Sequence, residues 1–200
     1  LPLALYFQCA ATPASATLTP VDFYKGMLGV PEDSTVLQVA SPFASTQLRI
    51  CVARHISTRY RDRSSSLRAI TQLIAEQQSQ CPGNYLAFFS SFEYLDLAAN
   101  DLYECFPRLV QWRQTRDMSE TAREQFLASF VEGGAGIGFA VLGGAFGEGV
   151  DLPGTKLIGA FIATLGLPPT DPINETYRDV IERKFGSGYD YTYTYPGIRK

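Results

Sequence analysis

Histidine and closely spaced cysteines are what this 200-residue chain has least of. His55 is the only histidine, and the nearest two of the four cysteines, Cys81 and Cys105, stand 24 residues apart. Zinc and iron–sulfur sites normally contain at least one close cysteine pair, and nucleophilic catalysis needs a base beside the nucleophile. The sequence therefore predicts no metal site and offers no obvious pair of nucleophile and base.

An excess of basic residues and a long uninterrupted apolar segment are also missing. The net charge of −3 excludes a globally basic nucleic-acid binder, although it leaves room for a local basic patch. The glycine-rich run over 133–169 is interrupted by Glu148, Asp151, Pro153 and Lys156, so each half is too short to cross a bilayer. We expect a cytoplasmic protein with one full hydrophobic core and no membrane contact.

Apolar runs do alternate with amphipathic segments along most of the chain. The pattern predicts helices after Thr19, Ser90 and Ser119, and further elements as follows: helices over 64–78 and 174–185, and strands over 3–7, 35–39, 48–52, 84–89, 109–114, 137–142 and 157–165. Strands that alternate with helices indicate an α/β domain with a mainly parallel sheet. Residues 85–89 are apolar throughout, which predicts a central strand.

Two predicted helix starts carry hydroxyl side chains. Thr19 is placed as an N-cap with Pro20 as the first helical residue, and Gly29 is placed to end that helix. Ser90 and Glu93 have the spacing of a capping box. A serine pair between a strand and a helix suits an anion, because free backbone N–H groups point there, and it equally suits an ordinary N-cap.

One basic segment stands out between Arg49 and Arg68. It contains six arginines and His55 against a single acid, Asp62, and Tyr60 lies among them. Arginines with an interleaved tyrosine suit backbone phosphates and a stacked base. The same composition is typical of a solvated charged loop, so both interpretations stay open.

Glycine is concentrated between Gly143 and Gly154, where the only charged residues are Glu148 and Asp151. This is not a Walker A loop, because Thr155 stands where the lysine must be. Residues 134–138 do not match a dinucleotide fingerprint either, since they precede a predicted strand. The chain therefore lacks a complete nucleotide cradle.

Three loops are expected to meet at one edge of the predicted sheet. In open α/β sheets, ligands bind outside the carboxyl ends of the strands. The loops over 15–20 and 90–93 offer hydroxyls and N–H donors, and the loop over 143–154 offers backbone N–H groups and two carboxylates. This combination indicates contact with phosphate groups.

The motifs in these loops resemble one family. Residues 15–20 (SATLTP) resemble motif III of the DinG/XPD-like superfamily-2 DNA helicases, residues 85–92 (YLAFFSSF) resemble motif IV, and residues 144–154 (GAFGEGVDLPG) resemble motif V. Their order and spacing agree over nearly the whole chain, and motif V is the most specific of the three.

The resemblance implies a RecA-like (P-loop NTPase-type) fold of three layers, with a mainly parallel sheet flanked by helices. Residues 1–200 would be the second motor domain of an ATP-dependent helicase that moves along single-stranded DNA, as in DNA repair, cut short before motif VI. ATP and Mg²⁺ would be shared with the first RecA-like domain of the same parent chain, to which any iron–sulfur cluster would also belong. The fragment alone is not expected to hydrolyse ATP.

The resemblance also assigns roles to individual residues. Glu148, Gly149 and Asp151 would couple nucleotide state to DNA binding, and Thr17 would link the two motor domains. The DNA backbone would be contacted by Ser90 and Ser91, with Arg59 and Arg63 as inferred phosphate contacts. One departure is Gly147, where the family usually has serine, so a hydroxyl contact is lost there.

Two other functions are alternatives to a helicase motor domain. A non-catalytic α/β interaction module could keep this fold and use the arginine segment or the tyrosine-rich stretch 189–195 to bind nucleic acid or a protein partner. A free-standing enzyme acting on phosphate compounds would need a nucleophile or base that the sequence does not provide.

Overall fold

The computed structural model describes residues 20–147, 149–168 and 170–198. These residues belong to two units, one that ends at Ile50 and one that begins at Cys51. Each unit is described by itself. Among the described residues, no helix is long and apolar enough to cross a membrane.

The described residues of the first unit contain one α-helix, α1 (Val21–Leu28), and a 3-10 turn (Ser45–Gln47). The α-helix ends at Gly29, which adopts the left-handed conformation with φ 66°, as the sequence predicted. Pro20 is the N-cap and not the first helical residue, so that part of the prediction was wrong. Thr19 lies outside the described residues, as does the strand predicted over 3–7.

The strand predicted over 35–39 is wrong, because these residues form no strand pairing. Leu37 and Val39 are 85% and 79% exposed. Residues 48–52 were also predicted as a strand, and they likewise form no strand pairing. Apolar alternation produces a strand only where a neighbouring strand supplies hydrogen bonds and a packing surface.

The second unit is built on a sheet of four parallel strands in the order β2-β3-β1-β4. The strands are β1 (Tyr85–Phe89), β2 (Val110–Arg113), β3 (Gly136–Val141) and β4 (Gly159–Ile162). All five residues of β1 are buried, and β1 pairs with a strand on each side. The predicted central strand is therefore confirmed.

The predicted strand over 157–165 is present only as the short strand β4. Its burial alternates between half-buried and exposed, and Ile162 is 63% exposed. Within the described residues β4 has a partner only on its β1 side. This position at the edge of the described sheet accounts for the exposure of β4.

The predicted helices of this unit are present, with bounds shifted by one to two residues. They are α2 (Arg63–Gln80), α3 (Phe92–Cys105), α4 (Glu120–Ala128) and α5 (Pro172–Phe185). Ser119 caps α4, because its hydroxyl accepts a hydrogen bond from the Ala122 N–H at 3.2 Å. The stretch 189–195 is helical too, with a π-helical turn (Asp190–Thr194) followed by α6 (Tyr195–Ile198).

Helices cover both faces of the sheet. Successive side chains of a strand point to opposite faces, so Ala87 and Phe89 pack with α2 and α3, whereas Leu86 and Phe88 pack with Phe126 of α4. The largest fully buried side chains include Phe89 and others on both faces: Ile74, Tyr94, Leu95, Leu102, Phe130, Ile137 and Phe139. The three-layer α/β architecture expected from the sequence is confirmed.

Candidate nucleic-acid interface and coupling loop

The loops that follow β1, β2 and β3 leave the sheet at one edge. Parallel pairing brings the carboxyl ends of these strands together: the Leu142 N–H donates to the Phe89 carbonyl at 2.9 Å, and the Gln114 N–H donates to the Phe139 carbonyl at 2.8 Å. Two of the three loops predicted to meet, over 90–93 and 143–154, therefore start from neighbouring strands. The loop over 15–20 lies almost wholly outside the described residues.

The turn after β1 is short, and its two serines have different partners. Ser91 is the N-cap of α3, with an extended backbone (φ −156°, ψ 161°) and a side chain that accepts from the Tyr94 N–H at 3.3 Å. The predicted capping box from Ser90 to Glu93 was wrong, because the helix starts one residue later. Ser90 is left to make a contact outside α3.

That contact comes from Arg63, the first residue of α2. Its Nη2 donates to Ser90 Oγ at 2.6 Å, across 27 residues of sequence. The guanidinium also lies over two aromatic rings, 4.7 Å from the centroid of Tyr94 and 5.0 Å from that of Tyr60. Arg63 is half-buried and its Nε has no hydrogen-bond partner among the described residues.

Tyr94 forms the buried wall behind this arginine. It is 1% exposed, and burial raises the pKa of its hydroxyl while the nearby charge of Arg63 opposes the rise. The neighbouring Ser66 hydroxyl donates to the main-chain carbonyl of Ser57, so it gives Tyr94 no hydrogen bond, and no other described group does. Tyr94 therefore contributes its ring face and not its hydroxyl.

The other predicted phosphate contact, Arg59, is exposed. It precedes a 3-10 turn (Tyr60–Asp62) that leads into α2. The single acid of the segment, Asp62, accepts from the Ser57 hydroxyl at 2.7 Å and lies 3.6 Å from Arg61. No carboxylate of the described residues lies within 4 Å of Arg59 or Arg63, so both keep a positive charge that no acid neutralises.

A further basic residue at this edge, Arg116, was missed from the sequence. It follows β2, contacts the Glu93 carboxylate at 2.5 Å and lies 5.1 Å from the centroid of the Phe92 ring. The pKa of the Glu93 carboxyl is lowered by three groups. They are the backbone N–H of Glu93 and the Ser91 hydroxyl, which both donate hydrogen bonds to the carboxylate, and the positive charge of Arg116. The signal that could have found Arg116 was its position just beyond a parallel strand.

The loop after β3 is long and rich in glycine. Gly143, Gly149 and Gly154 have φ of 82°, 72° and 61°, a region that favours glycine. Apolar side chains anchor the loop: Phe146 is 3% exposed, with its ring centroid 4.3 Å from that of Phe126, and the half-buried Val150 and Leu152 pack against the same cluster. The other described residues of the loop are exposed or half-buried.

The structure describes two of the four residues that were predicted to couple nucleotide state to DNA binding or to link the two motor domains. Gly149 and Asp151 are exposed at the surface of this loop, whereas Glu148 and the distant Thr17 lie outside the described residues. At Gly147 a β-carbon would lie 3.0 Å from the Gly143 nitrogen. The serine that the resemblance expects would therefore require a shift of a few tenths of an ångström.

These residues do not form a complete site for ATP and Mg²⁺. The glycine loop leads into a 3-10 turn (Gly154–Lys156) and then β4, so no helix N-terminus follows it to bind phosphate. Within the described ranges, no group of three or more histidine, cysteine or acidic side chains could hold a metal ion. A nucleotide at this edge would need groups from another domain.

Comparison with known proteins identifies the family. Residues 74–200 match the helicase C-terminal domain family, which is more than half of the chain. The chain belongs to the helicase C-terminal domain family. This match confirms the motif-based assignment to a helicase domain.

Solved XPD structures share the fold of this helicase C-terminal domain. One, of the apo form, has a TM-score of 0.55 and 16% identity, covering 71% of this chain and 29% of that chain. Another, described as an XPD helicase, has a TM-score of 0.53 and 16% identity, covering 72% and 25%. The chain thus spans less than a third of the length of these relatives.

Proposed function

We propose that this helicase C-terminal domain, residues 1–200, is the second RecA-like motor domain of an ATP-dependent DNA helicase. It would bind single-stranded DNA and couple nucleotide state to movement along the strand, in a cytoplasmic protein that acts in DNA repair. ATP and Mg²⁺ would bind between it and the first RecA-like domain of the parent chain. Alone, the chain would not hydrolyse ATP.

The observation that carries the proposal is the pairing of Arg63 with Ser90 at the carboxyl edge of the sheet. A positive charge without an acidic partner lies beside a hydroxyl, at a strand end where α3 also begins. Phosphate is the group that this chemistry fits, since cations and the N-terminal end of a helix both favour an anion. We assign DNA-backbone contact to this edge through Ser90, Ser91, Arg59 and Arg63.

The glycine loop after β3 would serve as the coupling element. It leaves the same edge as the serine turn, its backbone is open at Gly149, and Asp151 is exposed. Glu148, Gly149 and Asp151 would respond to nucleotide and alter the DNA contact on the neighbouring strand. Thr17 would make the connection to the first motor domain.

The test is binding of a fluorescent oligothymidylate to the 200-residue chain over a range of salt concentrations. We expect weak binding whose affinity falls with salt, because each neutralised phosphate of a single strand adds about −0.7 to the logarithmic slope. The pair Arg59→Glu and Arg63→Glu should weaken binding at least about tenfold and flatten the slope. Arg59→Glu alone should act in the same direction without altering the buried side of the site.

The matched control for Arg59→Glu is Arg108→Glu, an exposed arginine in the segment that leads into β2 at the opposite edge of the sheet, and it should change the affinity much less. Binding without salt dependence, or equal losses from Arg59→Glu and Arg108→Glu, would contradict the proposal. Unchanged DNA affinity with loss of a protein partner would favour an interaction module instead. Hydrolysis of ATP stimulated by DNA in the isolated chain would contradict the shared nucleotide site.

A further inference from the structure

We infer that Arg63 is a positioning residue that makes the Ser90 hydroxyl a dedicated hydrogen-bond donor to a phosphate oxygen. The inference rests on the proposed function, and it changes the role expected of Arg63 from a direct phosphate contact to one exerted through Ser90. Three observations support it: the direction of the hydrogen bond between Arg63 and Ser90, the aromatic surroundings of the guanidinium, and the N-terminal end of α3 close to Ser90.

The direction of the hydrogen bond is fixed by chemistry. A guanidinium can only donate, so Ser90 Oγ must be the acceptor of the 2.6 Å contact from Arg63. A serine hydroxyl has one proton, and no acceptor among the described residues takes it. The proton is therefore available to an incoming acceptor, whereas a lone pair of Ser90 is already used.

The surroundings of Arg63 hold it in place behind Ser90. Its guanidinium lies over the rings of Tyr60 and Tyr94, and its Nε is buried without a partner in the described part of the chain. Turning the guanidinium away from Ser90 toward a phosphate would cost the Ser90 bond and the contact with a ring that is 1% exposed. Held as it is, the charge acts on the ligand through the polarised hydroxyl.

The uncompensated charge also selects the kind of acceptor. A donor backed by a guanidinium that has no carboxylate of the described residues within 4 Å favours an anionic oxygen over a neutral carbonyl or ring nitrogen. The N-terminal end of α3, which begins two residues after Ser90, favours the same sign. Recognition at Ser90 should therefore be directed at the phosphodiester backbone and be independent of base sequence.

A double-mutant cycle on oligothymidylate binding tests this role. Arg63→Met, which keeps an apolar side chain between the tyrosine rings, and Ser90→Ala should each weaken binding about tenfold. Because the two residues act through one hydrogen bond, the double variant should be no weaker than the single ones. Ser90→Thr, which keeps the hydroxyl, should bind within about twofold of the wild type.

Two variants at Tyr94 separate positioning from general damage. Tyr94→Phe keeps the ring face and loses only a hydroxyl that has no partner, so binding should be unchanged. Tyr94→Leu removes the ring over Arg63 and should weaken binding only while Arg63 is present. Thermal unfolding of each variant shows which of them are folded at the assay temperature.

Different outcomes of these experiments contradict the proposed function and the inference about Arg63. A wild-type chain that fails to bind DNA overturns both. A wild-type chain that binds, with losses from Arg63→Met and Ser90→Ala that multiply to about a hundredfold, overturns the inference alone and makes Arg63 a direct phosphate contact. Unchanged binding by Arg63→Met, or failure of Ser90→Thr to bind, also overturns the inference.

Discussion

The turn after β1 and the loop after β3 leave neighbouring strands at one edge, yet they are held in opposite ways. The first turn has two residues before α3, and both serines are hydrogen-bonded, one to Arg63 and one to the start of the helix. The second runs for more than ten residues, with three glycines at positive φ, and it is held by the packing of Phe146, which is buried, and of Val150 and Leu152, which are half-buried. A fixed turn suits binding in one geometry, whereas a long glycine-rich loop held only by side-chain packing suits movement.

The largest expected effect on stability in this comparison of the turn and the loop comes from Phe146→Ala. The substitution removes the only fully buried aromatic ring of the long loop, which packs on Phe126. We expect the free energy of unfolding to fall by about 3 kcal/mol, measured by urea denaturation. Asp151→Asn, in an exposed position of the same loop, should leave stability unchanged. A loss below about 1 kcal/mol for Phe146→Ala would mean that the packing of Val150 and Leu152 is enough to hold the loop.

An intermediate effect is expected in the short turn from Ser91→Ala. Loss of the N-cap hydroxyl leaves an N–H at the start of α3 without its partner, so stability should fall by about 1 kcal/mol. Ser91→Thr keeps the capping oxygen and should lie within about 0.5 kcal/mol of the wild type. Equal stability of the alanine and threonine variants would show that the turn is not held by this cap.

The smallest effect is the change in stability with pH that arises from Glu93. The pKa of Glu93 is lowered, first by its own N–H, then by Ser91 and by the charge of Arg116. Its contribution to stability is therefore present above its ordinary pKa of 4.5 and is lost as the pH falls through the lowered value. Because the side chain is exposed, solvent keeps the effect small.

Melting temperatures of the wild type and Glu93→Gln between pH 7 and pH 3 would measure this contribution. The wild type should be the more stable protein near neutral pH, and the difference should shrink in acid. A difference that stays constant across this range would mean that Glu93 supports the turn only through contacts that are independent of its charge.

Much of the core and little of the site geometry could be predicted from the sequence. The run over 85–89 and the stripe of α3 predict buried elements, because their apolar periodicity reports directly which faces are covered. The runs over 35–39 and 48–52 have similar composition but form no strands, since pairing depends on neighbours that local sequence does not encode. The same limitation applies to β4, whose edge position is a property of strand order.

The candidate site depends even more on distant contacts. Arg63 and Ser90 were both selected from the sequence as DNA contacts, but their direct hydrogen bond spans 27 residues and could not be predicted from either segment. Arg116 was missed because its pairing with Glu93 spans 23 residues. Helix caps were predicted to within one residue, and at Ser90 and Ser91 that single residue separates a capping role from a ligand-facing one.

The central place of β1 has a mechanical consequence. Ser90 follows a strand that is hydrogen-bonded along both sides, to β3 and to β4. A pull applied at Ser90 along the strand loads both rows of hydrogen bonds together in shear, instead of opening them one after another as at a sheet edge. If the domain moves along a strand of DNA as proposed, the contact at Ser90 would be attached to a strand that is supported on both sides.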